Sequence, residues 1–443
     1  MARDHDDLPG GRRVPTGRIG RLAHLGSMAS GLAGNMALGQ LRALGQGRRQ
    51  SARELLMTPA NIARIADRLA RMRGAAMKVG QLLSMDSGDV LPPELATIMA
   101  RLRENADFMP PSQLKQVLGG EWGADWTARF ARFDVRPVAA ASIGQVHRAR
   151  LRDGTDLAIK VQYPGVARSI DSDVANVGAL IRMTGLVPRG LDLAPYLEAA
   201  RLQLHEETDY LREARQQARY AALLAGDHRF AVADVRPDLT TPRILAMSWM
   251  PGRAMDTLDD QPPDCRDAIA RDLIDLTLTE LFTHGTVQSD PNFANYRYDP
   301  EGQRIVLLDF GATRDIAPEV VARYRALMCA GMAGDGDRIH TAAAALGLFD
   351  STTSAAHRDL VLRLIGMVFA RLRDPAPIDF ATEDLARRLQ ADALRLADEG
   401  FVPPPLPIDV LYLQRKFGGM FLLAARLRAR VAVRDLIARH LSA

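Results

Sequence analysis

An α+β fold in two lobes, with helix in excess of strand, follows from three observations. The chain has 443 residues, 47% of them hydrophobic, which is enough to bury a large core and too much for one small module. Alanine, leucine and arginine dominate while aromatic residues make up 5%, a composition that favours helices over an all-β architecture. The local texture also changes along the chain. Short alternating apolar runs and a helix fill the stretch from Phe133 to Met250, and mostly helical sequence follows the break at Pro251-Gly252.

The elements can be justified in order. Residues 1–50 are rich in glycine and arginine, with eight arginines against three aspartates, and read as a basic leader that could face a membrane or a partner. Residues 51–130 carry a helical pattern, broken at Pro92-Pro93 and reopened at Pro110-Pro111. Residues 131–250 form the β-rich lobe. Its first hairpin runs from Gly144 to Leu151, turns at Asp153-Gly154 and returns from Leu157 to Val161. A long helix from about Leu193 to Leu224 follows, then a strand pair ending in Arg243 to Met250. Residues 251–443 form the helical lobe, interrupted by Gln288 to Gly311 with its short apolar strand Ile305 to Leu308.

Several function classes are disfavoured by composition. The net charge is +4, but basic and acidic residues are interspersed, without the clustered stripe that a phosphate backbone needs, so nucleic acid is not an expected partner. The two cysteines, Cys265 and Cys329, are far apart and lack histidine or cysteine neighbours, which indicates neither a disulfide framework nor a zinc site and fits a reducing compartment. No run of about eighteen apolar residues occurs, and the opening residues, with Asp4, Asp6 and Asp7, do not follow the order of a secretory signal. The expectation is a cytoplasmic protein, soluble or peripheral to a membrane. Of the 57 basic residues only Lys78, Lys115, Lys160 and Lys416 are lysines, the other 53 being arginine. A lysine kept in such a chain is informative, because a compact ammonium does what a guanidinium fork cannot.

The chemistry lies in separated segments. Phosphoryl transfer from a nucleotide needs cations on the phosphates, oxygen ligands for a metal, and a carboxylate to orient the nucleophile. Lys160 ends the apolar strand Ala158-Ile159-Lys160, where an ammonium can reach the phosphates of ATP. On the following helix Glu213 is the candidate to pair with Lys160. Glu206 reads as part of a solvated acidic face, and Glu207, six residues before Glu213, does not share its face. Asp290-Pro291-Asn292-Phe293-Ala294-Asn295, followed by Leu308-Asp309-Phe310-Gly311 after a short strand, has the spacing of a kinase catalytic loop and metal loop. Asp290 would orient or deprotonate the attacking oxygen, and Asn295 and Asp309 would supply oxygen ligands to Mg²⁺. The order of segments is that of a bilobal protein-kinase-like fold. Two parts depart from a protein kinase. The phosphate loop reads Ala139-Ala140-Ala141-Ser142 in place of glycines, and Ala317-Pro318-Glu319 follows Gly311 so closely that it reads as an ordinary helix start with proline in its first turn. Both disfavour phosphorylation of proteins.

These segments resemble the UbiB family of atypical kinases, also called aarF-domain kinases, and within it the coenzyme Q8-type members. The motifs are Lys78-Val79-Gly80-Gln81 (KxGQ), the alanine loop Ala139 to Ser142, Glu207-Thr208-Asp209 (ExD), Asp290 to Asn295, and Asp309-Phe310-Gly311. The resemblance implies that the 51–130 extension folds across the active site. Lys78 then approaches Glu207, with Gln81 and Asp209 sharing the occluding role, so that protein substrates are kept out. It places the adenine-contacting hinge at Ser248, Trp249 and Met250 and gives Lys160 and Glu213 the strand-lysine and helix-glutamate roles. It further implies ATP and Mg²⁺ as cofactors, a membrane surface, quinone-precursor lipids and ubiquinone-biosynthesis enzymes as partners, and ATP hydrolysis or small-molecule phosphorylation as the activity. Two departures stand out. Asn292-Phe293-Ala294 replaces the His-Pro-Gly of many bacterial members, and Arg426, Arg428 and Arg430 interrupt the only run that could match the C-terminal membrane helices of the family's second branch. A nucleotide-binding scaffold without turnover and a phosphotransferase of the aminoglycoside-kinase type are the rival readings.

Overall fold

A computed structural model describes residues 73–86, 108–141, 143–184, 193–398, 404 and 406–442. The leader of residues 1–50, much of the 51–130 extension and Ser142 lie outside the described residues. The chain divides into two compact units, residues 1–214 with 235–249 and residues 215–234 with 250–443.

The first unit contains helices α1 (Arg73–Asp86) and α2 (Pro111–Trp122), then strands β1 (Phe130–Phe133), β2 (Ala139–Ala140), β3 (Gly144–Leu151) and β4 (Asp156–Gln162). Helices α3 (Val166–Thr184) and α4 (Ala194–Glu207) follow, and α5 (Tyr210–Leu223) carries the chain into the second unit at Ala214. After β5 (Phe230–Val232), which belongs to the second unit, β6 (Ile244–Ser248) returns to the first. The sheet runs β1-β3-β4-β6 with β2 paired on β3, antiparallel throughout. Gly154 sits at φ +92° in the β3–β4 turn, a conformation glycine adopts without strain, and Asp153 Oδ1 accepts the amide of Thr155 at 2.9 Å.

Strand period separates the two faces of β4. Leu157, Ile159 and Val161 of β4 enter a core with Trp122, Trp126, Phe130, Ile244 and Ala246, which leaves Ala158, Lys160 and Gln162 on the opposite face. Trp122 adds a bond from its indole nitrogen to the Leu239 carbonyl at 2.9 Å, fixing α2 beneath the sheet.

Two expectations need correction here. The single helix expected from Leu193 to Leu224 is two, α4 and α5, parted at Thr208-Asp209. The Thr208 amide closes α4 on the Leu204 carbonyl, and the Asp209 side chain accepts the Arg212 amide at 2.9 Å, an aspartate cap that opens α5. The expected strand pair before Met250 is not a pair either. β6 joins β4 in the first unit, whereas β5 lies parallel to residues 305–307 within the second, because hydropathy marks a strand without marking its partner.

In the second unit, β7 (Arg253–Ala254) precedes α6 (Pro263–Thr279), whose end widens into a π-helical turn, Glu280–His284. Then come β8 (Thr286–Gln288), β9 (Tyr296–Asp299), β10 (Arg304–Leu307) and β11 (Thr313–Asp315). Helices α7 (Pro318–Ala333), α8 (Gly336–Ala345) and α9 (Ala355–Arg373) precede β12 (Ile378–Asp379) and α10 (Leu385–Asp398). The chain closes with α11 (Ile408–Arg426), β13 (Arg430–Val431) and α12 (Val433–Leu441). A four-stranded sheet β5-β10-β9-β7 and the pairs β8–β11 and β12–β13 interrupt the helices, more strand than the sequence pattern suggests. These strands are two to four residues long, too short for alternation to register. Ile269, Leu273 and Leu276 of α6 and Met420, Leu423 and Ala424 of α11 meet in one core, and α7, α8 and α9 share a second. The helix that starts at Pro318 is the ordinary proline-first start read from the sequence. Among the described residues no helix is long and apolar enough to cross a membrane.

Candidate functional site

In the first unit the strand and the helix joint meet through two side chains on one face of β4. Lys160 Nζ donates to both Glu213 carboxylate oxygens, at 2.7 and 3.0 Å, with the lysine side chain 10% and the glutamate 1% exposed. Gln162, two residues on, donates to the Thr208 carbonyl at 2.9 Å, where α4 gives way to α5. The Tyr210 ring lies 5.2 Å from Lys160 Nζ, a cation–π contact. Lys78 of α1 forms an ion pair with Glu207 at the end of α4, both largely withdrawn from solvent. Asp209 caps α5. Gln81 lies on α1, but its side chain is outside the described residues.

The alanine loop is a tight hairpin. Ala139 and Ala140 make up the exposed strand β2, and the Ala141 amide donates to the Gly144 carbonyl at 2.8 Å. A Cβ on Gly144 would come within 2.6 Å of the Val161 carbonyl oxygen and 2.7 Å of the Tyr210 hydroxyl, so only glycine lets β3 run this close to β4 and α5. At the other edge, Ser248 ends β6 opposite Leu157, and Trp249 donates its amide to the Asp156 carbonyl at 2.9 Å. The Trp249 ring faces the Arg148 guanidinium at 4.8 Å, and Arg148 pairs with Asp156 at 2.8 Å. Met250 opens the second unit.

In the second unit Asp290, Asn295 and Asp309 lie on two loops tied together by backbone bonds. The Asn295 side-chain amide donates to the Asp290 carbonyl at 3.1 Å, which directs its oxygen away from that carbonyl. The Leu308 amide donates to the Asn295 carbonyl at 3.0 Å, and the Gly311 amide to Asp309 Oδ1 at 3.0 Å. Gln288 donates its side-chain amide to the Asp309 carbonyl at 3.2 Å. One carboxylate and one amide oxygen are hard donors suited to magnesium, which keeps waters and phosphate oxygens in the rest of its octahedron. Among the described residues there is no group of three or more His, Cys, Asp or Glu that could hold a metal ion.

Helix α11 contributes side chains that sequence reasoning missed. Arg415, 4% exposed, donates to Asp290 Oδ1 at 2.6 Å. Its neighbour Lys416 donates to the Tyr296 hydroxyl at 3.1 Å and lies 3.4 Å from Glu280 Oε2. Tyr220 donates to Glu280 Oε1 at 2.9 Å. Burial pushes the Glu280 carboxyl above its ordinary range, with Lys416 pulling it back in part. Burial also depresses the Lys416 ammonium, but the Glu280 charge and Tyr296 more than offset this, so it stays protonated. Arginine is so common in the sequence that Arg415 gave no signal, whereas the scarcity of lysine could have singled out Lys416.

Residues 101–343 match the family model for the ABC1 atypical kinase-like domain. The chain is 38% identical over 422 residues to the atypical kinase COQ8, mitochondrial, of Saccharomyces cerevisiae, covering 94% of this chain and 83% of that one. It is 39% identical over 431 residues to the atypical kinase COQ8B, mitochondrial, of Rattus norvegicus, covering 96% and 80%. Among solved structures, the complex of Mycobacterium tuberculosis Rv3197 with erythromycin is similar with a TM-score of 0.59 and 25% identity, over 83% of this chain and 92% of that one.

Proposed function

The chain belongs to the ABC1 atypical kinase-like family with a kinase-like α+β fold, and from that premise we propose that it is a Mg-ATP-dependent enzyme supporting ubiquinone biosynthesis. It hydrolyses ATP or phosphorylates a small molecule at a membrane surface. Quinone-precursor lipids and biosynthetic enzymes are its partners. It acts in the cytoplasm, peripheral to the membrane. The observation that carries this reading is the buried Lys160–Glu213 pair, a cation held ready on the polar face of β4 for phosphate oxygens.

Each residue has a role in it. Lys160 neutralises phosphate charge and Glu213 orients it. Ala139, Ala140, Ala141 and Ser142 border the phosphates, and Ser248, Trp249 and Met250 border the adenine. Asn295 and Asp309 hold magnesium, which when bound supplies charge neutralisation across the phosphates. Asp290 orients the attacking oxygen, its carboxylate kept in one direction by Arg415. Lys78, paired with Glu207 and assisted by Gln81 and Asp209, holds the α1 segment where a protein substrate would dock.

The test is ATP turnover by the purified chain, with and without anionic liposomes and a phenolic quinone precursor. Turnover that rises with liposomes or precursor and is lost in Asp290→Asn supports the enzyme. Nucleotide binding without turnover under every condition would replace it with a scaffold reading. Turnover that survives removal of residues 51–120 would favour a phosphotransferase of the aminoglycoside-kinase type.

A further inference from the structure

Of the chain's few lysines, Lys78 and Lys160 belong to the pairs described above, and Lys115 is exposed on α2. Lys416 is the remaining one. It is 1% exposed, in a helix whose neighbouring basic position, Arg415, is an arginine. Burying an ammonium with a carboxylate does not by itself stabilise a fold, since an apolar pair of similar volume commonly does as well or better. Stability therefore leaves the Lys416–Glu280 pair unexplained. Its surroundings supply a reason.

Two arms lead from this pair. One runs from Lys416 Nζ to the Tyr296 hydroxyl at 3.1 Å, and Tyr296 follows Asn295 directly. The other runs through Glu280, whose Oε1 accepts the Gln288 amide at 3.4 Å, and then from the Gln288 side chain to the Asp309 carbonyl at 3.2 Å. The arms meet again in the backbone, where Tyr296 pairs with Leu307 and Leu308 bonds Asn295. Glu280, Gln288, Tyr296, Asn295, Asp309 and Lys416 share one cavity of about 10 Å³, room for no more than about one water. A single compact ammonium reaches both the phenol and the carboxylate here, a point charge where arginine would present a planar fork.

Resting on the nucleotide and magnesium reading above, we infer that Lys416 and Glu280 are a positioning pair that fixes the separation and orientation of Asn295 and Asp309 as metal ligands. Residues that hold ligands in place without touching the metal commonly change metal affinity about 10- to 100-fold when lost.

The experiment uses the full chain and a fluorescent ADP analogue titrated with Mg²⁺, together with thermal unfolding of the nucleotide-free protein. Lys416→Met alone strands the Glu280 charge and lowers the melting temperature, so the decisive variant is the double Lys416→Met/Glu280→Leu, which removes both charges. The expected result is a melting temperature close to wild type, with the Mg²⁺ concentration for half-maximal binding raised about tenfold or more and full binding recovered at high Mg²⁺. Tyr296→Phe, which cuts one arm and keeps the ring, should give a smaller rise in the same direction and serves if the double variant does not fold. A Mg²⁺ dependence within about twofold of wild type in the folded variant would show that the pair only fills space. Loss of Mg²⁺-dependent binding in the wild-type chain itself would overturn the metal reading and this inference with it.

Discussion

Lys160 and Glu213 place opposite charges 2.7 Å apart with almost no access to water, so removing either one takes away the ion pair that offsets the burial of the other. Lys160→Met should cost about 3–5 kcal/mol of stability, and loss of nucleotide binding in that variant alone would be ambiguous. The double variant Lys160→Met/Glu213→Leu separates the effects. Its melting temperature should recover most of the loss while ADP binding stays absent, as read by calorimetry and by titration of a fluorescent nucleotide. A second residue-scale prediction concerns His147 on β3. Its Nδ1–H faces the Asp134 carbonyl at 2.8 Å, and its Nε2 accepts from the Gln145 side chain at 2.9 Å. Gln145 Oε1 in turn accepts the Met109 amide at 2.8 Å. Protonating Nε2 would set two donors against each other, and burial lowers the imidazole pKa to about 4. The unfolded chain then takes up a proton that the folded one refuses, so stability rises with pH across the window from about 4 to about 6.5, by up to about 3 kcal/mol. Urea unfolding of His147→Gln between pH 4 and pH 7 should show a flatter profile than wild type, and an unchanged slope would assign the acid sensitivity to other groups.

At the scale of elements, helix α1 leans on the end of α4, and helix α11 leans on the loop that carries Asp290. Lys78 ties α1 to the end of α4, the joint where Gln162 and Asp209 also act. Lys78→Met should speed amide hydrogen exchange in α1 and α4 while leaving α6 and α7 protected, since the latter belong to the two cores of the second unit. Uniformly faster exchange would mean that the variant loosens the whole chain. The close approach of β3 to β4 and α5 depends on Gly144, and Gly144→Ala should cost about 1–3 kcal/mol, measured by thermal unfolding. Gly419 plays the equivalent part on α11, where a Cβ would run into the Pro291 ring beside Asp290. Apart from the Lys78–Glu207 pair, which the family resemblance implied, none of these contacts was legible in the sequence. Hydropathy pattern gives an element's type and rough extent, as it did for the β3–β4 hairpin, but α11 stands more than a hundred residues from the loop it supports, and no local pattern joins them. The split between α4 and α5 was missed for a related reason. Both halves are helical by pattern, and the break is made by one aspartate cap that reads equally well as part of an acidic face.

For the molecule as a whole, a ligand that binds only the folded state stabilises it by mass action, about 2.7 kcal/mol at a hundredfold excess over its dissociation constant. Mg-ATP should therefore raise the unfolding temperature of the wild-type chain and leave that of Asp309→Asn nearly unmoved, checked by differential scanning fluorimetry with and without chelator. The sequence by itself determined the fold class and the family, because spaced motifs such as Asp290 to Asn295 and Asp309-Phe310-Gly311 are local and chemically narrow. It also singled out Lys78, Lys160 and Glu213, since a strand lysine and a helix glutamate have few other uses in that order. Only the tertiary structure decided which strands pair, where the helix breaks, and that Arg415, Lys416, Glu280 and Tyr296 stand around the loops that carry Asp290, Asn295 and Asp309. The physical reason is range. Motifs report chemistry that a few consecutive residues must share, whereas buried charges find partners through packing, and packing brings together residues that the sequence keeps far apart.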